Sequence, residues 1–460
     1  MSIKDGPILA AMGRRPRTSL WIAAFVYTVV VAAFIQCVAL PLFAPSAHGG
    51  HGLLAGSDGL WFHYVAVGQA QRIHAEGWHA WRLRPTGQAP AGIASAVYAL
   101  TVPEPWTMIP LNAALGATAV LVMMMIVRVF VPSDRLAAWC VLPALLYPSA
   151  MMWNAQLHKD SFFITGCVCF LYGWVRWARR ETWQDGKTIF AAWVWSFVGT
   201  ILIWIVRPYM VHVVLAVAAM VAVLLTVVLC ARWKAGLLPR KNAALGLALM
   251  VSFLAAMAPL PGNVSDERPY ASAPTPSAAT AALFTDSPYL PHFVNSQLRG
   301  LAFMRWCLAT AYPEAGSNID TNLLFHSPGD VLAYIPRATQ VVFFSPFPNT
   351  WRASGGTGFT RLLRGAAAVE MAGVYAAFIL FLWSAWRWRR RPELWTVLIF
   401  CGGMMLIYSL TTCNVGTLYR VRYAFIMTLV AVGLAAPAAR RAEARGVYAD
   451  KRTNHACATD

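Results

Sequence analysis

One acid and five basic side chains lie beside the apolar segments of this 460-residue chain rather than within them. The acid is Asp58, which follows the first apolar segment. The basic residues occupy three short connections between later segments: His158, Lys159, Arg207, Arg420 and Arg422. A carboxylate can act as a general base, and cations bind phosphate groups through charge-assisted hydrogen bonds. These residue types therefore predict a site for an anionic substrate, with Asp58 as its catalytic residue.

Each of these residues also has a structural explanation. Asp58 would begin a helix over 58–76, with Ser57 as its N-cap, and an acid in the first turn favours the helix dipole. Lys159 could pair with Asp160, and the other cations could extend towards lipid headgroups. Short exported turns tend to exclude Lys and Arg, so cations at several of them favour a shared anion site, with Glu370 as a candidate counter-ion.

The elements that must position these residues are apolar helices. Hydrophobic residues make up 58% of the chain and charged residues 12%. Apolar runs of about twenty residues recur, which is the length needed to cross ~30 Å of hydrocarbon. The sequence therefore predicts an all-α polytopic membrane protein with about ten transmembrane helices. The predicted spans are Ser19–Phe43, Trp106–Phe130, Leu136–Trp153, Ser161–Ala178, Thr188–Val206, Tyr209–Ala231, Asn242–Leu260, Ala366–Trp386, Leu394–Thr412 and Tyr423–Ala438.

Lys and Arg residues cluster in alternate connections, as at Arg387–Arg391. Positive segments resist translocation, so this pattern predicts that both termini are cytoplasmic. The formal charge of +18 is then mostly a topology signal, and its dispersal over separate loops does not suggest nucleic-acid binding. The predicted organisation is a cytoplasmic tail at 1–18, a seven-span region at 19–260 with a first extracytoplasmic loop at 44–105, a second extracytoplasmic loop at 261–365, a three-span region at 366–438 and a cytoplasmic tail at 439–460.

Both long loops are predicted to carry interfacial helices, over 58–76 in the first and over Phe293–Leu308 and Asp330–Phe344 in the second. Polar residues of the second loop are candidate contacts for an acceptor molecule: Asp320, Asp330 and Arg337. The sequence has no Cys-x-x-Cys pair, no His-Glu-x-x-His motif and no phosphate-binding glycine loop. ATP-driven transport and zinc hydrolysis are therefore not expected, and no metal ligands are assigned.

Several short motifs resemble the GT-C superfamily of integral-membrane glycosyltransferases, especially the bacterial relatives of protein mannosyltransferases and of the lipid A aminoarabinose transferase. The resemblance rests on SDGLWF at 57–62, PSAMMWNAQLHKD at 148–160 and NVGTLYRVR at 414–422, and it covers most of the chain as topology. Many relatives have Asp-Glu where this chain has Asp58-Gly59. That departure puts a second acid, or a metal, in doubt.

The resemblance implies a hexosyltransferase-like enzyme of polysaccharide biosynthesis in the bacterial cytoplasmic (inner) membrane, with an extracytoplasmic active site. Its donor would be a polyprenyl-phosphate-linked sugar, and its acceptor an exported glycan, lipid or protein among the membrane lipids. By the same resemblance, Asp58 is a catalytic base or metal-linked residue. Lys159, Arg207 and Arg420 would bind the donor phosphate. No cofactor is certain, and a divalent cation stays open.

Two other functions fit the same features. An O-antigen or exopolysaccharide polymerase or ligase also joins lipid-linked sugars at outer loops, and Arg305 and Gly316 match the spacing of a polymerase pattern. A lipid-linked glycan transporter or flippase would use the arginines to guide a headgroup. The sequence shows neither an inverted repeat nor a pair of Gly- or Pro-broken spans in corresponding positions, which a transporter would favour.

Overall fold

The computed structural model describes residues 15–261, 284–311, 313, 315–352 and 358–444. The predicted tails and the start of the second loop thus lie largely outside the described residues. Within these ranges the chain is helical, with isolated β-bridges but no strand. The helices are α1 (Pro16–Phe34, continued by a π-helical segment to Phe43), α2 (Asp58–Glu76), α3 (Ala89–Leu100), α4 (Ile109–Val127), α5 (Asp134–Leu146), α6 (Pro148–Asn154), α7 (Asp160–Ala178), α8 (Gly186–Val206), α9 (Met210–Lys234), α10 (Arg240–Met257), α11 (His292–Ala311), α12 (Pro328–Phe344), α13 (Gly358–Trp388), α14 (Pro392–Thr411), α15 (Val415–Val421) and α16 (Tyr423–Ala444).

Most of these helices are membrane spans. In the described part of the chain, nine helical segments are long and apolar enough to cross a membrane, and α5 with α6 forms a further pair bent by 68°. The prediction of an all-α polytopic membrane protein with about ten spans is confirmed. The predicted bounds differ from the observed ones by a few residues at most span ends. The larger differences are at the start of α13, at Gly358 and not Ala366, and at the end of α16, at Ala444 and not Ala438. The predicted span Leu136–Trp153 is broken into the two helices of the bent pair.

The break between α5 and α6 follows from Pro148, which has no amide hydrogen to donate to the Ala144 carbonyl. That carbonyl accepts a hydrogen bond from the Tyr423 hydroxyl instead. The next amide along, that of Ser149, donates to the Glu370 carboxylate at 2.7 Å. The backbone groups that the break leaves without helical partners therefore form hydrogen bonds with side chains of α16 and α13. These hydrogen bonds hold the bend in place.

Contacts at the two ends of the helix bundle show that α5 and α6 together cross it. Arg17, at the start of α1, donates to Asp134, at the start of α5, at 2.8 Å. Gln36, near the other end of the first span, donates to the Ala155 carbonyl just after α6. The bent pair thus runs from one end of the bundle to the other, as a single broken span would.

We call the end near Arg17 the basic end. Asp134 there also accepts from Arg128 at 2.8 Å. Arg391 donates to the Val129 carbonyl at 3.0 Å, and Arg387 donates to Glu443 in α16 at 2.6 Å. The start of α1 and the end of α16 therefore lie at the same end of the bundle. The opposite end, called the site end, carries α2, α3, α11 and α12.

The loop helices at the site end agree with the sequence. The predicted helix over 58–76 is α2, and the two helices predicted in the second loop are α11 and α12. Ser57 stands at the N-cap position of α2, but its hydroxyl donates to the Leu54 carbonyl at 2.8 Å instead of accepting from the helix. Arg84 ties this loop to the bundle through hydrogen bonds to the carbonyls of Trp204 and Ile205 at the end of α8.

Helices α7 and α8 are antiparallel and pack unusually closely because glycines face the contact. A Cβ atom on Gly199 would lie 2.4 Å from the Phe170 nitrogen, and one on Gly173 would lie 2.3 Å from the Ser196 hydroxyl. This close packing places the start of α7 beside the residue that follows α8. Those two residues are Asp160 and Arg207.

Gly199→Ala should destabilise the protein, because its methyl group would collide with backbone atoms of α7 that cannot rotate away. Overpacking of this kind costs about 1–3 kcal/mol. The measurement is the thermal midpoint of the detergent-purified protein. Gly402→Ala is the matched control, since a Cβ there meets nothing within 4 Å. Equal midpoints for the two variants would contradict the close α7–α8 contact.

Candidate active site

Asp160 is a buried carboxylate that lies between arginines from two other segments. Its Oδ1 atom accepts a hydrogen bond from Nη2 of Arg207 at 2.9 Å, and its Oδ2 atom lies 3.3 Å from Nε of Arg420. Arg207 follows α8 and Arg420 belongs to α15, so three separate segments meet at one acid. A buried charge requires such partners, because leaving it uncompensated costs several kcal/mol. We call Lys159, Arg207 and Arg420 around Asp160 the cation cluster.

The cluster leaves polar atoms unsatisfied. Arg207 is buried, and its Nη1 atom lies 3.4 Å from the Tyr408 hydroxyl, but its Nε atom has no hydrogen-bond partner among the described residues. Arg420 faces Asp160 through Nε without hydrogen-bond geometry. Most buried polar groups in proteins are hydrogen-bonded. Oxygen atoms of a bound anion would supply the acceptors that these donors lack.

Lys159 adds a third cation to the cluster. It is half-buried, with Nζ 5.7 Å from the ring centre of Phe62 on α2. Burial, helped by repulsion from Arg207, lowers the pKa of Lys159 to about 8. The ammonium is therefore still charged at neutral pH. It has neither an ion pair nor a hydrogen bond within the part of the chain that the structure describes, so its donors are available to a ligand.

Asp58 approaches the cluster from the start of α2. The helix rests on the backbone before Lys159: a Cβ atom on Gly59 would lie 3.2 Å from the Leu157 carbonyl oxygen. The Asp58 side chain is exposed. Burial lowers the pKa of both His158 and Lys159, and the Asp58 charge opposes that shift in each case. Asp58 and Lys159 are therefore neighbours, and a side chain at Gly59 would have little room beside the Leu157 carbonyl, so the position after Asp58 does not suit a second acid.

His158 contributes no charge to this arrangement. It is buried, and burial lowers its pKa to about 4. The imidazole is therefore neutral at physiological pH. The predicted phosphate-binding role of His158 is thereby restricted to hydrogen bonding.

Arg422 lies apart from the cation cluster, although it was predicted to bind phosphate with Arg420. It is fully buried, and its guanidinium donates to the carbonyls of Val342 and Ser345 at the end of α12. Its side chain also lies over the Tyr419 ring, 4.9 Å from the centroid. Among the described residues, none of its hydrogen bonds goes to Asp160. These contacts give Arg422 a structural role in anchoring α12.

Glu370, the predicted counter-ion, accepts hydrogen bonds from Ser149 and from the Tyr419 hydroxyl. In the described residues it forms no ion pair with the cluster arginines. Asp160 is the counter-ion of the cluster, whereas the sequence suggested it only as a partner for Lys159. The signal for Asp160 in the sequence was an acid directly after a cation in a short turn. Nothing in the sequence indicated which cations it would meet.

The candidate acceptor contacts of the second loop all have partners within the protein. The Asp320 carboxylate accepts from Arg337 Nε at 2.9 Å and from the Tyr334 hydroxyl at 2.9 Å. Asp330 accepts from the His326 amide at 2.8 Å and so stabilises the start of α12. The structure therefore brings Asp320 and Arg337 together as an ion pair and leaves Asp330 with a capping role.

The donor set at Asp58 does not suit a divalent cation. Among the described residues, no group of three or more His, Cys, Asp and Glu side chains is arranged to hold a metal ion. The Asp58 charge acts on two neighbouring side chains, the basic Lys159 and the neutral His158, and raises the pKa of each. His63, on the same helix, is buried with its Nδ1 atom 3.0 Å from the Tyr98 hydroxyl. Asp58 therefore has no set of partner ligands for a divalent cation among the described residues.

Comparisons with known proteins leave the family open. No protein-family model matches the chain, and neither the curated proteins nor the solved structures give a significant match. The resemblance to GT-C glycosyltransferases therefore stays a prediction from the three sequence motifs and the topology.

The pKa of Lys159 predicts that anion binding to the cluster weakens between about pH 7 and about pH 9.5. Lys159 loses its proton over this range while the arginines stay charged. The loss should approach one charge-assisted hydrogen bond, about 1.5–3 kcal/mol or roughly ten- to a hundredfold in affinity. The measurement is titration calorimetry with farnesyl phosphate, whose phosphate is already a dianion above about pH 7. The Lys159→Arg variant should bind farnesyl phosphate with nearly the same affinity across this pH range. If its affinity instead falls with pH as that of the parent protein does, the assignment to Lys159 is contradicted.

Proposed function

We propose that this protein is a membrane glycosyltransferase that moves a sugar from a polyprenyl-phosphate donor to an exported acceptor in cell-envelope glycan assembly. The observation that carries the proposal is a cluster of three cations with more positive charge than Asp160 neutralises, next to a helix that begins at Asp58 and packs against the backbone before Lys159. A glycosyl transfer from a lipid phosphate needs both features in one layer: a base for the acceptor and positive charge for the leaving group.

The cations suit the departing phosphate. In the donor, the phosphate is a diester with one negative charge, and breaking its bond to the anomeric carbon leaves a monoester with two. Lys159, Arg207 and Arg420 would stabilise that added charge as it develops, which is how fixed cations lower a reaction barrier. A lipid phosphate also lies at the membrane surface, the depth expected for turns between spans.

Asp58 suits the acceptor. As the acceptor hydroxyl oxygen forms its bond to the anomeric carbon, its proton passes to the Asp58 carboxylate, and the bonding pair of the broken C–O bond stays on the phosphate. General base catalysis of this kind contributes about 10²–10⁴ in rate. The exposed carboxylate is accessible to an acceptor, while the contact of Gly59 with Leu157 fixes the helix that carries it.

The orientation that fits this chemistry places the site end outside the cytoplasm and the basic end inside, in the bacterial cytoplasmic membrane. Positive-inside bias favours it, because the Lys- and Arg-rich short connections lie at the basic end. Both termini would then be cytoplasmic, and α2, α3, α11 and α12 would be extracytoplasmic.

A cysteine placed at Tyr289, which is 93% exposed at the start of the second loop's described part, should react with a membrane-impermeant maleimide in intact cells. A cysteine at Arg389, in the connection between α13 and α14, should react only after the membrane is permeabilised. Both are introduced into a chain whose native cysteines are replaced. The reverse labelling pattern would put the acid and the cations on the cytoplasmic side and would exclude an exported acceptor.

The alternative functions are less well supported. Arg305, half of the polymerase pattern, is fully buried and donates to the carbonyls of Leu323, Leu410 and Asp320, so it is a structural residue. A transporter built from inverted repeats would have two broken spans, whereas the described residues contain one bent pair. Purified protein that makes a ladder of products would indicate a polymerase, and movement of lipid without sugar transfer would indicate a transporter.

Asp58→Asn should reduce sugar transfer by at least about a hundredfold while farnesyl phosphate still binds, because the amide cannot accept a proton. The assay follows radiolabelled sugar from a polyprenyl-phosphate donor to acceptor, using purified protein. Asp185→Asn is the matched control, since Asp185 caps α8 at the basic end and is remote from the cluster. Transfer by the Asp58→Asn protein at a near-normal rate would remove Asp58 from the mechanism.

A further inference from the structure

We propose that Asp160 is a positioning residue that competes with the donor phosphate for Arg420, and that this competition limits how tightly the product phosphate is held. The inference rests on the proposed function, because it concerns the same cation cluster. Asp160 would not touch the reacting atoms. It would act through the arginine side chain that it holds when no phosphate is bound.

The two ion pairs of Asp160 differ in a way that points to this exchange. The pair with Arg207 is a hydrogen bond of 2.9 Å between side chains only 6% and 3% exposed, and the guanidinium also lies over the Phe163 ring, 4.5 Å from the centroid. The pair with Arg420 is longer, at 3.3 Å, lacks hydrogen-bond geometry, and involves a side chain 26% exposed. Arg207 is therefore fixed, whereas Arg420 is held by charge alone.

Arg420 is also the arginine with free donors. Within the described residues, its guanidinium forms no hydrogen bond, so both terminal nitrogens are available to phosphate oxygens. The backbone around it is held firmly, because α15 is capped by Asn414 and the neighbouring Tyr419 donates to Glu370. Exchange would thus need only a rotation of the Arg420 side chain, not a movement of the helix.

Charge explains why an internal competitor would be useful. Lys159, Arg207 and Arg420 against Asp160 leave two positive charges once the sugar has left, since His158 is neutral and Asp58 has taken up the acceptor proton. That excess matches the phosphate monoester dianion formed when the sugar leaves. Without Asp160 the site would carry three positive charges and would retain the product more strongly. Asp160 would lower product affinity by taking Arg420 back as the phosphate departs.

The test compares the affinity of farnesyl phosphate for the full-length protein and for Asp160→Asn, in the same detergent and at constant ionic strength. Releasing Arg420 from its ion pair with Asp160 should tighten binding by about tenfold, the low end of what one charge-assisted hydrogen bond contributes. Under steady-state transfer, KM and kcat should both fall, because product release becomes slower. A residue that served only to stabilise the fold would not tighten binding. Unchanged or weaker binding by a folded Asp160→Asn protein would overturn the inference.

Two further variants separate competition from general electrostatics and guard against misfolding. Asp160→Glu keeps the charge and reaches further, so its affinity should be equal to or lower than that of the parent protein; tighter binding would overturn the inference even if Asp160→Asn did not fold. In an Arg420→Gln background, Asp160→Asn should change affinity by less than about threefold, because the competed side chain is absent. A full tenfold gain in that background would also overturn it.

The proposed function fails in a different way. If the parent protein does not bind farnesyl phosphate, the cation cluster is not a lipid-phosphate site and the proposed function loses its donor. If the parent protein binds this probe but Asp160→Asn does not bind it more tightly, the donor site stands and only the exchange at Arg420 is excluded.

Discussion

The arrangement of the site end depends on one buried carboxylate. Asp160 cannot be buried as an isolated charge, so its position requires cations from elsewhere in the chain. It obtains them from the α8–α9 turn and from α15, which are 47 and 260 residues away in sequence. The glycine contacts between α7 and α8 bring Arg207 to it, and the Tyr419–Glu370 hydrogen bond helps to hold the helix that carries Arg420. A local charge requirement therefore helps to fix the relative positions of three segments: α7, the α8–α9 turn and α15.

The break at Pro148 supplies the second constraint. Because Pro148 lacks an amide hydrogen, the Ala144 carbonyl four residues before it has no helical donor, and the Ser149 amide after it has no helical acceptor. Both groups must find partners outside their own helix. Tyr423 and Glu370 provide them, so the broken span is bound to α16 and α13 at the point where it changes direction. The redirected helix α6 ends at Asn154, and the chain then turns into the segment that contains His158, Lys159 and Asp160. The same hydrogen bonds that satisfy the break thus help to orient the candidate site.

Much of this architecture was predictable because it depends on local sequence. Apolar runs identified the spans, and helical spacing identified α2, α11 and α12. Cations in turns that normally exclude them identified Lys159, Arg207 and Arg420. Partnerships across the fold were not predictable: an unusual charge in a turn does not reveal its counter-ion. Asp160 was therefore missed as the centre of the cluster, while Arg422, with the same local signal as Arg420, is committed to the carbonyls of α12.

The charge balance of the cluster separates a binding role from a structural one. Arg305 and Arg422 show how this fold uses arginine for structure: each is fully buried and its guanidinium hydrogen-bonds to backbone carbonyls. The cluster cations have a different environment. Arg207 and Arg420 share one carboxylate, Lys159 has no ion pair among the described residues, and Nε of Arg207 lacks an acceptor there. Such an excess of positive charge is costly in a partly buried site unless a ligand neutralises it. A phosphate at the membrane surface would supply both the negative charge and the missing acceptors, which is why we interpret these residues as a binding site and not as a further set of structural contacts.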